Sequence, residues 1–412
     1  MTSSANDPHG YSEALSARGR ALLERAPVPE YLREHFARVG SPGYVPLCIA
    51  ENRLMWDLLA PRMAACRAVP ERVLGYDAMI GAAGFRRQLA ALLGRRVCGR
   101  AVEPGQVAAL AGAGSVLEAL FYALGDPGDG VLVPTPSYAG FWLDLEVRDA
   151  LRIVPVPTAS ADGFRLTPER LERAAESAGR PVRALLLTSP DNPLGRVHPA
   201  AELERLLDWA AGAGLHVVCD EVYALSVFGA EPFVSVARLR PRLGERLHLV
   251  WAFSKDFAAS GLRCGVLVTE NEALLAAVDL LAEWACCSGD TQFLLGEMIA
   301  DEAWVDGYVA AMRARLGAAY GAVAAALAAE GIPFLPSSAG FFLLVDLRRF
   351  LAAPTHEAER ELWWRLLEST GVNLTPGAAC RIVEPGFFRL CFAGAPTAEV
   401  VAGVRRVAAR LR

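Results

Sequence analysis

Lys255, within the segment WAFSKDFAASGLRCG, is the only lysine among the 412 residues. The other members of the 41 lysines and arginines are all arginine, which serves a salt bridge or a helix cap equally well. A guanidinium stays protonated in proteins, whereas a lysine amine can lose its proton and attack a carbonyl carbon. Either this lysine persists by chance in a codon-biased sequence, or it forms a Schiff base. The neighbouring motifs decide between the two.

Four motifs place polar or aromatic residues where predicted strands end: CDEVY with Asp220 and Tyr223, TSPDNPLG with Asn192, PTPSY with Tyr138, and WAFSK with Lys255. In a parallel sheet, the carboxyl ends of the strands gather around a ligand. Singly, each residue is more typical of a turn or a cap. Together they supply what pyridoxal phosphate requires: a carboxylate for the pyridine nitrogen, an amide and a phenol for the 3-oxygen, a stacking ring and a carrier lysine.

A phosphate group also needs a binding place, and the segment AGAGSVLEAL offers one. Ala113, Gly114 and Ser115 stand just before a predicted helix, where free backbone N–H groups and the helix dipole favour an anion. The segment is not a dinucleotide-binding fingerprint, because that pattern requires glycine where Leu117 stands. Arg263 can add a positive partner, although an arginine here would also suit a surface salt bridge.

The pattern between about residues 85 and 290 alternates strands and helices, and its continuous apolar strands predict a mostly parallel sheet covered on both faces. A long helical pattern over 301–331 ends at glycine and is followed by a shorter strand–helix set. We expect an α/β fold with a large domain over 61–300, a smaller α/β domain over 301–412, and an N-terminal segment, 1–60, that contributes to the small domain.

Composition narrows the function class. The chain is 53% hydrophobic and 21% charged with a net charge of −5, which fits a soluble enzyme and gives no reason to expect nucleic acid. We find no apolar run that could span a membrane and no secretory signal in the polar N-terminus. The nine cysteines and six histidines show neither a CxxC pair nor metal-ligand spacing. We therefore expect a cytoplasmic enzyme without a metal site.

The motifs TSPDNPLG, DEVY and SKDFAASGLRCG resemble those of fold-type I pyridoxal-phosphate enzymes of the class I/II aminotransferase group. The blocks PLCIAENRLMWDLL, DPGDGVLVPTPSYAGF, SGDTQFLLGEMIADE and NLTPGAACRIVEPGFFRLCFA are similar to successive blocks of 1-aminocyclopropane-1-carboxylate (ACC) synthases. Together these blocks run in order through most of the chain. The resemblance implies a large domain with a mostly parallel, seven-stranded sheet.

The resemblance also implies roles for matching positions. Lys255 would carry the cofactor and remove the substrate Cα proton. Asp220 and Tyr223 would also be catalytic residues, Asp220 as the partner of the pyridine nitrogen and Tyr223 as a donor to the 3-oxygen. The residues expected to contact the cofactor are Ala113, Gly114, Ser115, Tyr138, Asn192, Asp220, Tyr223, Ser254, Lys255, Arg263 and Tyr76. Of these, Tyr76 would reach the cofactor of the partner subunit, in a homodimer with shared active sites. Those expected to contact the substrate are Ala50, Glu51, Arg389 and Tyr138, with Arg389 on the α-carboxylate.

Two positions depart from the ACC synthase pattern. Ala252 stands three residues before Lys255, where the family usually has a phosphate-binding serine. Met79 stands two residues before Gly81, where ACC synthases carry a tyrosine that reaches the partner's cofactor. Tyr76 stands five residues before the same glycine, at the place where ordinary aminotransferases of this group carry their equivalent tyrosine. We expect the contact to persist with altered geometry.

The activity implied is the release of methylthioadenosine from Cγ of S-adenosylmethionine. The product is then ACC, or a vinylglycine-like intermediate that a second small-molecule substrate traps. In ACC synthases the position of Glu51 lies near the sulfonium; alternatively Glu51 and Asn52 cap the following helix, and the protein is an amino acid aminotransferase. A transcription regulator of this fold is disfavoured, because the roughly 45 preceding residues are too few and not basic.

Overall fold

The computed structural model describes residues 14–24 and 28–412. Its strands are β1 Val45–Pro46, β2 Val107–Leu110, β3 Gly130–Thr135, β4 Arg152–Pro157, β5 Val182–Thr188, β6 His216–Asp220, β7 Leu247–Ala252, β8 Gly265–Thr269, β9 Phe334–Leu335, β10 Phe342–Asp346, β11 Val372–Asn373, β12 Thr375–Pro376 and β13 Phe387–Cys391. Its α-helices are α1 Ala17–Glu24, α2 Glu30–Arg38, α3 Trp56–Ala65, α4 Ala83–Leu93, α5 Ala113–Leu124, α6 Phe141–Glu146, α7 Pro168–Glu176, α8 Ala200–Gly212, α9 Phe253–Asp256, α10 Glu272–Leu281, α11 Gly289–Ala300, α12 Glu302–Ala329, α13 His356–Thr370 and α14 Thr397–Leu411.

The largest sheet has seven strands in the order β2-β8-β7-β6-β5-β3-β4. Its strands run parallel except β8, which is antiparallel to both of its neighbours. Every residue of β7 and β8 is buried, as expected for strands covered on both faces. The sheet confirms the predicted α/β fold with a mostly parallel, seven-stranded sheet.

A second, antiparallel sheet has the order β12-β13-β10-β9, and β1 pairs in parallel with β11. The predicted long helix is α12, whose first turn is capped where the Asp301 carboxylate accepts a hydrogen bond from the Trp304 N–H at 3.0 Å. We retain the domain bounds 1–60, 61–300 and 301–412 as a proposal, which the pairing of β1 with β11 supports. Residues 1–13 and 25–27 of the first segment lie outside the described residues.

The strand directions bring the carboxyl ends of β3, β5, β6 and β7 to one edge of the large sheet, where β8 begins. The one-turn helix α9 follows β7 directly and carries Lys255. Helix α5 begins three residues after the end of β2, at the same edge. No helix in residues 14–24 and 28–412 is long and apolar enough to cross a membrane.

Candidate active site

A cavity of about 200 Å³ lies at this edge of the large sheet. Its walls include most of the residues that the sequence singled out for the cofactor: Ala113, Gly114, Tyr138, Asn192, Asp220, Tyr223, Ser254, Lys255 and Arg263. Residues from strands far apart in the chain meet here because parallel strands share one carboxyl edge. The mixed polar and apolar walls of the cavity are typical of sites that bind small cofactors.

The partly buried Lys255 side chain lines the cavity, and its amine donates a hydrogen bond to the Ala50 carbonyl oxygen at 2.7 Å. Burial, and next the nearby Arg389 guanidinium, lower the pKa of Lys255 to about 8, against the opposing effect of Glu51 and Asp220. An amine with this pKa is partly neutral near pH 7.5, so it can attack a carbonyl carbon and accept a proton.

Asp220 is the last residue of β6, and its carboxylate accepts a hydrogen bond from the Val222 N–H at 3.1 Å. Burial raises the pKa of Asp220 to about 7, and Asp144 adds to the rise. A buried carboxylate of this kind fits a protonated pyridine nitrogen, because an adjacent cation would restore a low pKa. The donor set of the cavity therefore fits the ring end of pyridoxal phosphate.

Tyr223 and Asn192 both line the cavity. Phe341 and Phe342 hold the Tyr223 ring edge-on, each with ring centroids 5.4 Å away. Asn192 accepts a hydrogen bond at Oδ1 from Arg389 at 2.9 Å, which leaves its amide N–H groups free to donate toward the cavity. Both residues can thus act as donors to an anionic oxygen.

Arg389 is fully buried beside the cavity and is held in place by its own hydrogen bonds. One terminal nitrogen donates to the Cys48 carbonyl oxygen at 2.7 Å and to the Thr375 hydroxyl at 3.2 Å, and the other donates to Asn192. Its Nε is buried without a hydrogen-bond partner among the described residues. A buried, fixed guanidinium with an unused donor can bind a substrate carboxylate.

The phosphate end of the cavity is formed where α5 and β8 approach each other. Gly112, the residue before α5, has φ of +99° and lies against the Arg263 guanidinium, so a side chain at this position would overlap it. Gly265 lies against the backbone of Gly112 and Ala113, closer than any Cβ could be accommodated. The free N–H groups of the first turn of α5 and Arg263 therefore form a seat for an anion.

Of two further polar residues near the phosphate end of the cavity, Ser115 and Asp144, only Asp144 lines the cavity. The Ser115 hydroxyl donates to the Ala111 carbonyl oxygen at 3.2 Å and does not line the cavity, so any contribution to phosphate binding would come from its backbone. Asp144 does line the cavity, and burial raises the pKa of its carboxyl group to about 7. The sequence reasoning missed Asp144; its signal was its place three residues after Phe141, on the helix that follows the PTPSY motif.

The Ala50–Arg53 segment lies on the substrate side, next to Lys255. The Glu51 carboxylate pairs with the Arg53 guanidinium at 3.3 Å, and their side chains are 36% and 54% exposed. Glu51 does not cap helix α3, whose N-cap is Met55 without any side-chain hydrogen bond. The expected alternative role of Glu51 and Asn52 as caps is therefore wrong; Asn52 instead accepts from the Leu54 N–H at 3.0 Å within the turn.

Ala252 and Met79, the two residues that depart from the ACC synthase pattern, lie in different surroundings. Ala252 lines the cavity, so the place of the usual serine is occupied by a methyl group. Met79 is partly buried and packs against the hydrophobic core. Tyr76 is 99% exposed and does not line the cavity of its own chain. Tyr138, 42% exposed, does line that cavity and packs edge-on against Phe141 with ring centroids 5.4 Å apart.

The family described as aminotransferase class I and II matches residues 43–407. ACC synthase 4 of Oryza sativa subsp. japonica is 38% identical, over 90% of this chain and 83% of its own. ACC synthase 9 of Arabidopsis thaliana is 32% identical, over 88% of this chain and 82% of its own.

Solved structures agree on the fold. A Pyrococcus structure described as protein A1 superposes with a TM-score of 0.84 at 22% identity, covering 95% of this chain and 98% of its own. Thermus thermophilus aspartate aminotransferase with maleate superposes with a TM-score of 0.82 at 24% identity, covering 96% and 99%. The chain thus belongs to the class I and II aminotransferase family, as a fold-type I, pyridoxal-phosphate-dependent enzyme that is similar to ACC synthases.

Proposed function

We propose that this enzyme acts on S-adenosylmethionine, removing its Cα proton and releasing methylthioadenosine from Cγ. The observation that carries the proposal is the contact between Lys255 and the Ala50 carbonyl at 2.7 Å, which places the AENRL segment beside the reacting lysine. This segment belongs to the part of the chain that is similar to ACC synthases. It brings the carboxylate of Glu51, a suitable partner for a sulfonium cation, to the substrate side of the site.

Each residue of the site has a separate role in the proposed reaction. Bound pyridoxal phosphate would supply an electron sink for the charge that develops at Cα. Arg389 binds the substrate carboxylate, which fixes the Cα–H bond near the Lys255 amine. The amine, with its lowered pKa of about 8, accepts the proton. Asp220 and Asn192 hold the cofactor ring, and the first turn of α5 with Arg263 holds its phosphate.

Two outcomes follow from proton removal. If the Cα electron pair attacks Cγ, a Cα–Cγ bond forms, the Cγ–S bond breaks, and the sulfur leaves with its electrons as a neutral thioether; the product is ACC. If a β proton leaves as well, the Cβ–H electron pair forms a Cβ=Cγ bond, the Cγ–S bond breaks with loss of the neutral thioether, and a second, nucleophilic substrate can add at Cγ. Ring closure requires a narrow alignment of Cα and Cγ. We favour capture by a second substrate, because Met79 replaces the tyrosine that the ACC synthase pattern has.

We further propose a homodimer with shared active sites. Tyr76 is 99% exposed and Leu74 is 85% exposed, and both lie in the segment that leads to Gly81. Large exposed apolar groups of this kind are typical of surfaces that meet a partner. In the dimer Tyr76 reaches the partner's cofactor from this surface.

The second candidate function is an amino acid aminotransferase, which the similarity in fold to aspartate aminotransferase favours. Such an enzyme would convert the amino acid to a keto acid, and its cofactor would accept the amino group. Mass spectrometry of all products formed by purified holoenzyme with S-adenosylmethionine separates the candidates. We expect methylthioadenosine with ACC, or with an adduct when an acceptor is added; a keto acid without methylthioadenosine would refute the proposal. Lys255→Arg, which keeps the charge but cannot form the imine, should produce neither.

A further inference from the structure

Asp256, the residue after Lys255, is completely buried and has three hydrogen-bond donors around its carboxylate. The Ser226 hydroxyl donates at 2.7 Å, the Trp251 indole N–H at 2.9 Å and the Leu225 backbone N–H at 3.0 Å. Asp256 does not line the cavity. A molecule bound in this cavity would therefore not contact Asp256.

The three donors belong to two elements that carry residues of the site. Trp251 is in β7, the strand that leads into α9 and Lys255. Leu225 and Ser226 follow Tyr223, and the Ser226 N–H donates to the Tyr223 carbonyl oxygen at 3.0 Å. The Asp256 carboxylate thus connects the strand that precedes Lys255 to the segment that follows Tyr223.

The same network extends to the neighbouring elements. The Arg313 side chain from α12 donates to the Leu225 carbonyl oxygen at 2.9 Å. The Gly340 N–H donates to the Ser226 carbonyl oxygen at 2.9 Å, next to the phenylalanines that pack on the Tyr223 ring. Residues 225–226, which donate to Asp256, are therefore also held by hydrogen bonds from α12 and from Gly340.

Helix α9 has only four residues, and a single helical turn does not hold its own conformation in isolation. Tertiary bonds must therefore keep the lysine in place, and hydrogen bonds to a carboxylate are about twice as strong as those between neutral groups. We propose that Asp256 is a positioning residue that fixes Lys255 and Tyr223 relative to each other. This inference rests on the proposed role of Lys255, but not on S-adenosylmethionine as the substrate.

Because Lys255 is the only lysine, protein labelled with ¹³C at the lysine ε-carbon gives one lysine signal by NMR, which reports the surroundings of this amine directly. The first measurement compares this signal in unliganded wild type and in Asp256→Asn, whose amide offers one acceptor oxygen and turns a donor toward the donors around it. The second measures the exchange of the Cα proton of methionine for solvent deuterium by holoenzyme, which does not require cleavage at Cγ.

Glu270→Gln provides the matched control. The Glu270 side chain is 3% exposed and accepts hydrogen bonds from Arg100 at 2.6 Å, Gly244 at 3.0 Å and Arg242 at 3.1 Å. It follows β8 at the edge of the sheet opposite to the site. This variant removes the charge of another buried carboxylate that accepts three hydrogen bonds, two of them from guanidinium groups, so it accounts for a general loss of stability.

For Asp256→Asn we expect the lysine signal to move toward that of free lysine or to split, and the exchange rate to fall by roughly ten- to a hundred-fold. The KM for methionine should stay within about two-fold, because Arg389 is untouched. A folded Asp256→Asn protein with the wild-type lysine signal, or with an exchange rate no lower than that of Glu270→Gln, would overturn the inference. If Asp256→Asn does not fold, Ser226→Ala removes a single donor and is judged by the same two measurements.

Discussion

At the scale of single residues, the charge of the Lys255 amine controls cofactor attachment. Burial lowers its pKa from 10.5 to about 8, so the amine is mostly protonated below pH 8 and mostly neutral above it. Only the neutral amine attacks an aldehyde. We predict that the rate at which apoenzyme takes up pyridoxal phosphate rises with pH and levels off above about 8, as followed by the cofactor absorbance. An inflection near 10.5, the ordinary lysine value, would contradict the buried setting.

The lowered pKa of Lys255 also makes the stability of the apoenzyme depend on pH. Between about 8 and 10.5 the unfolded chain still binds the proton that the folded chain has released. The free energy of unfolding should therefore rise with pH across this window, and the low-pH side carries the full penalty of the buried charge. Chemical denaturation at several pH values measures it. The Lys255→Met variant should lose this part of the pH dependence.

Glu51 and Arg53 bear on substrate choice. If Glu51 faces a sulfonium, Glu51→Gln should weaken binding of S-adenosylmethionine more than binding of methionine. Since the Glu51 side chain is 36% exposed and already paired with Arg53, the difference should be about 1 kcal/mol, or roughly five-fold in Kd. Arg53→Gln should shift the preference the other way, because it frees the carboxylate. Equal losses for both ligands would remove Glu51 from sulfonium recognition. Ligand titration of the cofactor spectrum provides the measurement.

At the scale of elements, the phosphate seat depends on the close approach of β8 and α5. A methyl group at Gly265 would meet the backbone of Gly112 and Ala113, which cannot rotate away. We predict that Gly265→Ala separates the two elements and raises the Kd for pyridoxal phosphate by roughly five- to 150-fold, from an overpacking penalty of about 1–3 kcal/mol. Gly261→Ala, four residues earlier with no atom near the added methyl group, is the control and should bind the cofactor normally. Equal affinities for the two variants would argue against this seat.

The strands of the large sheet differ in how well the sequence predicts them. β3, β5, β6, β7 and β8 are apolar runs ending in turn residues, and the alternating pattern identifies all five. The two strands that the pattern leaves out, β2 and β4, are the sheet edges. β4, RIVPVP, contains two prolines and is largely exposed, which an edge strand tolerates. β2, VAAL, has only four residues and half of them are alanine, a residue of low strand propensity.

At the scale of the whole molecule, the topology explains which parts of the site the sequence could predict. Asp220 is the last residue of β6 and Asn192 follows β5, and parallel strands bring their carboxyl ends to one edge whatever the order of the strands in the chain. The hydrogen bond from Arg389 to Asn192 joins residues 197 positions apart. It depends on how the antiparallel sheet packs against the large one, which no local pattern encodes. Asp256 escaped notice for the same reason, since its partners lie in two other segments.

Every proposed role in the site depends on Lys255 as the residue that carries the cofactor. Borohydride reduction of the holoenzyme, followed by cleavage after arginine and mass spectrometry, tests it directly. Reduction should place a phosphopyridoxyl group on Lys255, within the peptide that spans residues 247–263. Lys255→Arg protein treated in the same way should carry no such group. A phosphopyridoxyl group on any other peptide, or no cofactor absorbance in the purified protein after addition of pyridoxal phosphate, would contradict the account.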